Sequence, residues 1–188
     1  MAGAPLATLI YAPNDGKSEL LADFAARRRA EGLTVDGVII ETLWSRPKTK
    51  SGLQVRALKS NETTALTEPY REGIVVGRWH LLPEGLAQMA RTLETAAAGP
   101  TDLLIVDKFG PLEGRGLGMA DALRKALTKP FPMAVAVRRE FAPAWRSFVA
   151  KAAPGRLTAN CELPPDEERL EAWWDQAAVP ALTLRGSS

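Results

Sequence analysis

Two short stretches of this 188-residue chain hold the residue types needed to handle phosphate and a divalent cation. The first is Tyr11-Ala12-Pro13-Asn14-Asp15-Gly16-Lys17-Ser18. A loop of the form G-x-x-x-x-G-K-[ST] wraps phosphates. Its second glycine lets backbone approach the anion, its lysine reaches the outer phosphates and its hydroxyl ligates Mg²⁺. Gly16, Lys17 and Ser18 fit that scheme, with Asn14 and Asp15 beside them in the cradle. Tyr11 stands where the first glycine belongs, and Pro13 removes one N–H donor. The plainer reading is a turn in which Asn14 or Asp15 caps the following helix.

The second stretch runs from Asp102 to Glu113, where the apolar Leu103-Leu104-Ile105-Val106 delivers Asp107 at a strand end. A carboxylate so placed can hold Mg²⁺, directly or through water, beside the Ser18 hydroxyl. Lys108 follows, at the position where many such hydrolases carry a water-activating glutamate, and Glu113 is the remaining candidate base. The plainer alternative has Asp107 capping the next turn and Lys108 pairing with a surface acid. Gly114-Arg115-Gly116-Leu117-Gly118 resembles a dinucleotide fingerprint but does not open the first strand–helix unit. It reads as a flexible turn from which Arg115 could reach a phosphate. The single histidine, His80, reads as structural, and Trp173-Trp174 as one ring on the core and one at an edge open to a partner.

These residues need elements to hold them. Leu6 to Tyr11 has the composition of a strand, and Lys17 to Glu31 the apolar spacing of a helix stopped by Gly32. Val35 to Leu43 predicts a second strand, buried on both faces around Val38-Ile39-Ile40. Trp44 to Gly52, with Lys48 and Lys50, reads as a polar loop. Leu53 to Leu58 alternates like a half-exposed antiparallel strand, Ser60-Asn61-Glu62 supplies a turn, and Ile74 to Trp79 is another strand. The region near 52–79 is therefore expected to be an antiparallel β insertion. Helices are predicted over Pro83–Ala98, Met119–Leu127, Pro143–Lys151 and Glu167–Gln176, and strands over Leu103–Asp107, Met133–Val137 and Val179–Leu184. This alternation implies one α/β domain over residues 1–188, a three-layer fold whose mostly parallel sheet carries helices on both faces. Ligands of such sheets bind beyond the carboxyl ends of the strands, where both motifs sit.

Composition narrows the function. The net charge is +2, from 24 basic and 22 acidic side chains, which gives no basic face for nucleic acid. Arg27-Arg28-Arg29 and Arg138-Arg139 read as solvated element ends. One cysteine, Cys161, excludes an intramolecular disulfide, and one histidine excludes a site of several imidazoles. No apolar run approaches the roughly 20 residues that span a bilayer. Met1-Ala2-Gly3-Ala4-Pro5 lacks the basic start of a signal peptide, so a cytoplasmic protein is expected, with Arg185-Gly186-Ser187-Ser188 as a loose tail.

From Asp102 to Gly118, and on through Ala120-Asp121-Ala122-Leu123 and Trp145-Arg146-Ser147-Phe148, the sequence resembles a bacterial domain family of unknown function. That family carries a [DN]-K-F-G-x-x-E segment followed by a G-R-G-L helix start. It is similar in turn to small P-loop nucleoside-triphosphatases of the thermophilic type, which show D-E-x-G-x-M-E where this chain has Asp107 to Glu113. The molybdopterin-guanine dinucleotide adaptor proteins are more distant kin. The resemblance implies a P-loop NTPase-like fold binding ATP or GTP with Mg²⁺. By it, Asn14, Asp15, Gly16, Lys17, Ser18 and Arg115 would contact the nucleotide, and Ser18 and Asp107 the metal. Lys17 and Glu113 would have catalytic roles. Tyr11 and Lys108 depart from the pattern at catalytic positions, which implies a nucleotide-binding protein with weak or lost triphosphatase activity. Two alternatives stay open. One is a non-enzymatic adaptor with a protein partner in molybdenum or other metal-cofactor handling. The other is an oxyanion binder, for molybdate as an example, using the helix N-terminus after Gly16.

Overall fold

Alternating apolar runs place side chains on both faces of one sheet, and the helices cover those faces. The computed structural model describes residues 3–47, 49–68, 73–76 and 79–186. The strands are β1 (Leu6–Tyr11), β2 (Val35–Arg46), β3 (Thr49–Ala57), β4 (Thr63–Ala65), β5 (Ile74–Val76), β6 (Trp79–Leu81), β7 (Leu103–Phe109), β8 (Met133–Arg138) and β9 (Asn160–Leu163). The helices are α1 (Lys17–Ala30), α2 (Pro83–Ala98), α3 (Pro111–Gly114), α4 (Ala120–Leu127), α5 (Ala142–Ala152), α6 (Pro154–Thr158), α7 (Glu167–Trp173) and α8 (Val179–Gly186). Seven strands form a sheet in the order β4-β3-β2-β7-β8-β1-β9, and β5-β6 is a separate small hairpin. From β2 to β9 neighbours run parallel, while β3 and β4 add antiparallel strands at one edge.

The period-two alternation of strand side chains divides the core into two halves. Leu104 and Val106 of β7 and Val135 and Val137 of β8 point to the face covered by α2, α4 and α5. Ile105 and Ala136 point to the opposite face, where Leu21 and Phe24 of α1 meet Leu170 and Trp173 of α7. The expected three-layer, mostly parallel architecture is therefore present. Gly37 of β2 is needed at its position. At φ 124° a Cβ there would stand 1.8 Å from the Ile105 carbonyl oxygen.

Several local expectations are corrected. The polar loop expected over 44–52 is instead a long hairpin. β2 continues to Arg46 and β3 starts at Thr49, with Trp44 paired to Lys50 and the Lys50 ammonium 5.5 Å from the Trp44 ring centre. Cross-strand pairing outweighs polar composition there. The strand expected over 74–79 is two strands, β5 and β6, paired antiparallel. Residues 77 and 78, like Lys48 and the tail's 187–188, lie outside the described residues. Val179 to Leu184 is helical, not a strand, because α7 runs through a π turn at Trp174–Ala178 straight into α8. Trp173 and Trp174 are both buried, Trp174 edge-on to Phe24 at 5.9 Å, so neither ring is offered to a partner. Arg28 is not solvated either. It is buried above Phe24 and Trp174 and bridges Glu31 and Glu171 at 2.9 and 3.1 Å.

One buried cation organises the far end of the sheet. Arg156 donates to the carbonyls of Leu127, Pro5 and Phe131 at 2.6, 3.1 and 2.8 Å, and also to that of Lys129. It thereby ties the entry of β1 to the connection between α4 and β8. With no carboxylate paired to it among the described residues, burial pushes its pKa down to about 10. Arg156→Met leaves these carbonyls short of donors at about 1–3 kcal/mol each where water cannot replace them. We expect a loss of about 3 kcal/mol or more, read as a lower urea midpoint. A loss under about 0.5 kcal/mol, the usual range of surface substitutions, would refute this role.

Candidate functional site

The loop between β1 and α1 is shaped to present backbone N–H groups. Asn14 and Gly16 both have left-handed backbone, at φ 72° and 66°. This arrangement turns successive N–H groups toward one side, forming a concavity for an anion. Asp15 does not cap the helix. Its carboxylate accepts from the Ala12 N–H at 2.6 Å and braces the loop, and the cap position is Gly16 with no side-chain bond. Among the described residues, the N–H groups of Asn14, Gly16, Lys17, Ser18 and Glu19 have no hydrogen-bond acceptor. The first helix turn therefore faces the cavity with its donors open, which favours an anion.

Asp107 meets this loop from β7. It is fully buried, and its carboxylate takes the Lys17 ammonium on one oxygen. Its other oxygen takes the Ser18 hydroxyl at 2.6 Å and the Ile40 N–H at 3.1 Å. Lys17 also donates to Ser18 at 2.7 Å. The structure thus joins Lys17, Ser18 and Asp107 into one cluster, and Asp107 does not serve as a turn cap. The Asp107–Lys108 peptide bond is cis.

Lys17 and Ser18 line a cavity of about 1390 Å³, with the fully buried Asp107 behind them. One wall is the phosphate-type loop. The other comes from the β2–β3 hairpin and β6, through Ile40, Trp44, Leu53 and Trp79. Lys17, Lys50, Arg56, Lys108 and Arg138 line it against Asp15, Glu19 and Glu41, and Glu41 is already paired with Arg56 at 2.7 Å. Lys108 does not pair with a surface acid. Burial and the charge of Lys17 hold its ammonium below the ordinary 10.5, against the pull of Asp107. Tyr11 closes the floor under Lys17, whose ammonium lies 5.1 Å from its ring centre. Burial, with Asp107 adding to it, pushes the Tyr11 phenol well above 10.0, so it stays a neutral O–H donor.

Three predicted site residues are not in the cavity lining: Asp107, which is fully buried behind Lys17 and Ser18, and Glu113 and Arg115. Glu113 is buried in α3, and its carboxylate accepts the N–H groups of Gly110 at 3.1 Å and Met119 at 3.4 Å. Arg115 is exposed at the end of α3 and is absent from the lining. Arg138 and Trp44, given no role at the site by the sequence, also line the cavity. Register is what reveals Arg138, since it pairs with Tyr11 at the end of the neighbouring strand. His80 is exposed on β6.

The family described as a protein of unknown function, DUF2478, matches residues 6–173. The chain belongs to the DUF2478 family. This DUF2478 protein is also similar to the nucleoside-triphosphatase THEP1 of Pyrococcus abyssi, 30% identical over 134 residues, covering 71% of this chain and 74% of that one. It is 28% identical over 180 residues to the molybdenum import ATP-binding protein ModC 2 of Bradyrhizobium diazoefficiens. That match covers 96% of this chain but spans only 19% of the relative's length. The solution structure of a human cancer-related nucleoside triphosphatase shares the fold, with a TM-score of 0.64 at 19% identity over 93% of this chain and 95% of that one. Among the described residues no helix is long and apolar enough to cross a membrane.

Glu113 gives a pH test of its place in the fold. Burial pushes its carboxyl above the ordinary 4.5, against the N–H groups that favour the charged form. A raised folded-state value means the folded chain holds this proton to higher pH than the unfolded chain. Its contribution to stability therefore declines as pH rises from 4.5 through the raised value. Glu113→Gln should remove that decline from urea unfolding measured between about pH 4.5 and 7. An unaltered pH profile would show that the carboxyl is not held as described.

Proposed function

We propose that this protein binds a nucleoside triphosphate with Mg²⁺ in the cavity above Lys17, Ser18 and Asp107, and that it turns the nucleotide over slowly or not at all. The observation carrying this is the junction itself, in which the lysine and hydroxyl of the loop already meet the strand-end carboxylate under a row of open N–H donors. The similarity to nucleoside-triphosphatase THEP1 supports the same ligand class.

The residues fit the metal. Ser18 Oγ and an Asp107 carboxylate oxygen, 2.6 Å apart, are the hard oxygen donors that Mg²⁺ selects. When bound, Mg²⁺ would neutralise charge on the phosphates. The protein's own part is to bind and orient. The open N–H groups of Asn14, Gly16, Lys17 and Ser18 hold the phosphates and Lys17 turns from Asp107 to them. Asp107 is fully buried, so losing Lys17 leaves a carboxylate that requires another cation. Phosphate and metal should therefore bind as a unit. Slow turnover follows because none of the positions expected to supply a base offers a free one. Asp107 is occupied, Glu113 is turned into its own loop, and Lys108 puts a cation beside the site.

A second reading, an oxyanion binder or adaptor in molybdenum handling, draws on the similarity to the molybdenum import protein. A thermal-shift panel of ATP, GTP, phosphate and molybdate separates the two. The nucleotide reading expects shifts with nucleotide plus Mg²⁺, and the second expects none with nucleotide.

Lys17→Ala removes charge-assisted bonds to phosphate worth about 1.5–3 kcal/mol each, so triphosphate affinity should fall by at least about tenfold. Chelating Mg²⁺ should weaken wild-type binding by a comparable factor. Calorimetry showing unchanged affinity in the variant would defeat the proposal. Phosphate release should stay well below the roughly 10 s⁻¹ typical of enzymes, and a rate near that value would contradict the missing base.

A further inference from the structure

Three adjacent parallel strands end beside the loop with hydrogen-bond donors that have nothing to bind. Tyr11 closes β1 and Arg138 closes β8, and the two are register partners. Lys108 lies next to them on β7, at the position where the register with β8 shifts between Asp107 and Phe109. A bulge of this kind re-aims a side chain. All three residues line the same cavity. The Tyr11 hydroxyl is shut off from solvent and has no hydrogen-bond partner, although Tyr11 is only 5% exposed. Arg138 Nε is in the same condition, while its Nη2 pairs with Glu140 at 2.6 Å. The Lys108 ammonium has no hydrogen bond or ion pair among the described residues. Buried donors are nearly always satisfied, so two orphans and an unpaired ammonium on neighbouring strand ends point to an acceptor that binds there.

The acceptor's chemistry follows from the donors. A phenol O–H, a guanidinium and an ammonium on neighbouring strand ends of one cavity suit several oxygens of one doubly charged tetrahedral group. The carboxylates whose charge reaches Tyr11 and Lys108 are Asp107, Glu113 and Glu140, and each is already engaged. Asp107 is taken by Lys17, Ser18 and Ile40, and Glu140 by Arg138. Lys17 lies over the Tyr11 ring, so an anion on the N–H cradle and one on this trio would be neighbours.

We propose that Tyr11, Lys108 and Arg138 form a tetrahedral-oxyanion subsite next to the loop cradle, which holds the terminal phosphate of a bound triphosphate and so selects triphosphate over diphosphate. This rests on the nucleotide reading above. It places Lys108 as a specificity residue for the third phosphate.

Calorimetry with a non-hydrolysable triphosphate and with the diphosphate, on wild type and on Lys108→Met, Arg138→Met and Tyr11→Phe, tests it. Wild type should prefer the triphosphate by about tenfold or more. Lys108→Met and Arg138→Met should each lose about tenfold for the triphosphate, with diphosphate affinity within about twofold of wild type. Tyr11→Phe removes only an oxygen and should lose about threefold for the triphosphate, which guards against a failure of the larger changes to fold. Equal losses for both nucleotides, or no loss for either, would overturn the subsite while leaving the nucleotide reading intact. If wild type binds neither nucleotide, the nucleotide reading falls and the subsite is tested with phosphate, sulfate and molybdate. A saturable thermal shift lost in Lys108→Met then supports the subsite with a free oxyanion as its ligand. No shift with any of them overturns the subsite as well.

Discussion

A carboxylate with no solvent contact has to be matched by charge, and in this protein that condition falls on Asp107. Taking an ionised group out of water costs several kcal/mol even after relaxation. Hydrogen bonds to charged groups return about 1.5–3 kcal/mol each, and Asp107 receives them from Lys17, Ser18 and Ile40. The largest return comes from the one partner that is itself charged. Lys17 therefore has two competing destinations, the carboxylate and an incoming phosphate. It can leave the first only when a cation replaces it, which couples the anion and metal halves of the site.

The sheet order makes that junction possible. β8 lies between β1 and β7, so the loop after β1 and the end of β7 are separated by one strand, and long side chains from α1 reach across it. The ends of all three strands open on the same edge because they run parallel. The antiparallel extension then makes the far wall. The β2–β3 hairpin carries the aromatic Trp44, 54% exposed, over the cavity mouth, so an aromatic surface faces the phosphate loop across the open space.

Much of this was legible in the residues. Strand composition and helix spacing are local properties, and they place β1, α1, α2, β7 and β8 within a few residues. Gly16-Lys17-Ser18 and Asp107 stand out because each motif depends on a few contiguous residues at a strand end. What escaped depends on partners distant in sequence. β9 is a short polar edge strand whose strand character comes from pairing with β1, reinforced by Thr8 bonding Asn160 at 2.6 Å. Arg28 and Arg156 look like surface arginines until Glu171 and a set of backbone carbonyls surround them. Glu113 has the right type and spacing for a base, but it is turned inward by the N–H groups of Gly110 and Met119. Spacing in the chain does not show which way such a carboxylate faces.

The most direct measurement is a crystal structure with a non-hydrolysable nucleoside triphosphate and Mg²⁺. The expected result has phosphate oxygens on the N–H groups between Asn14 and Ser18, the Lys17 ammonium moved from Asp107 onto phosphate, and a cation between Ser18 and Asp107. A nucleotide bound elsewhere, or bound here with the Lys17–Asp107 pair unbroken, would contradict the coupling of anion and metal at this carboxylate.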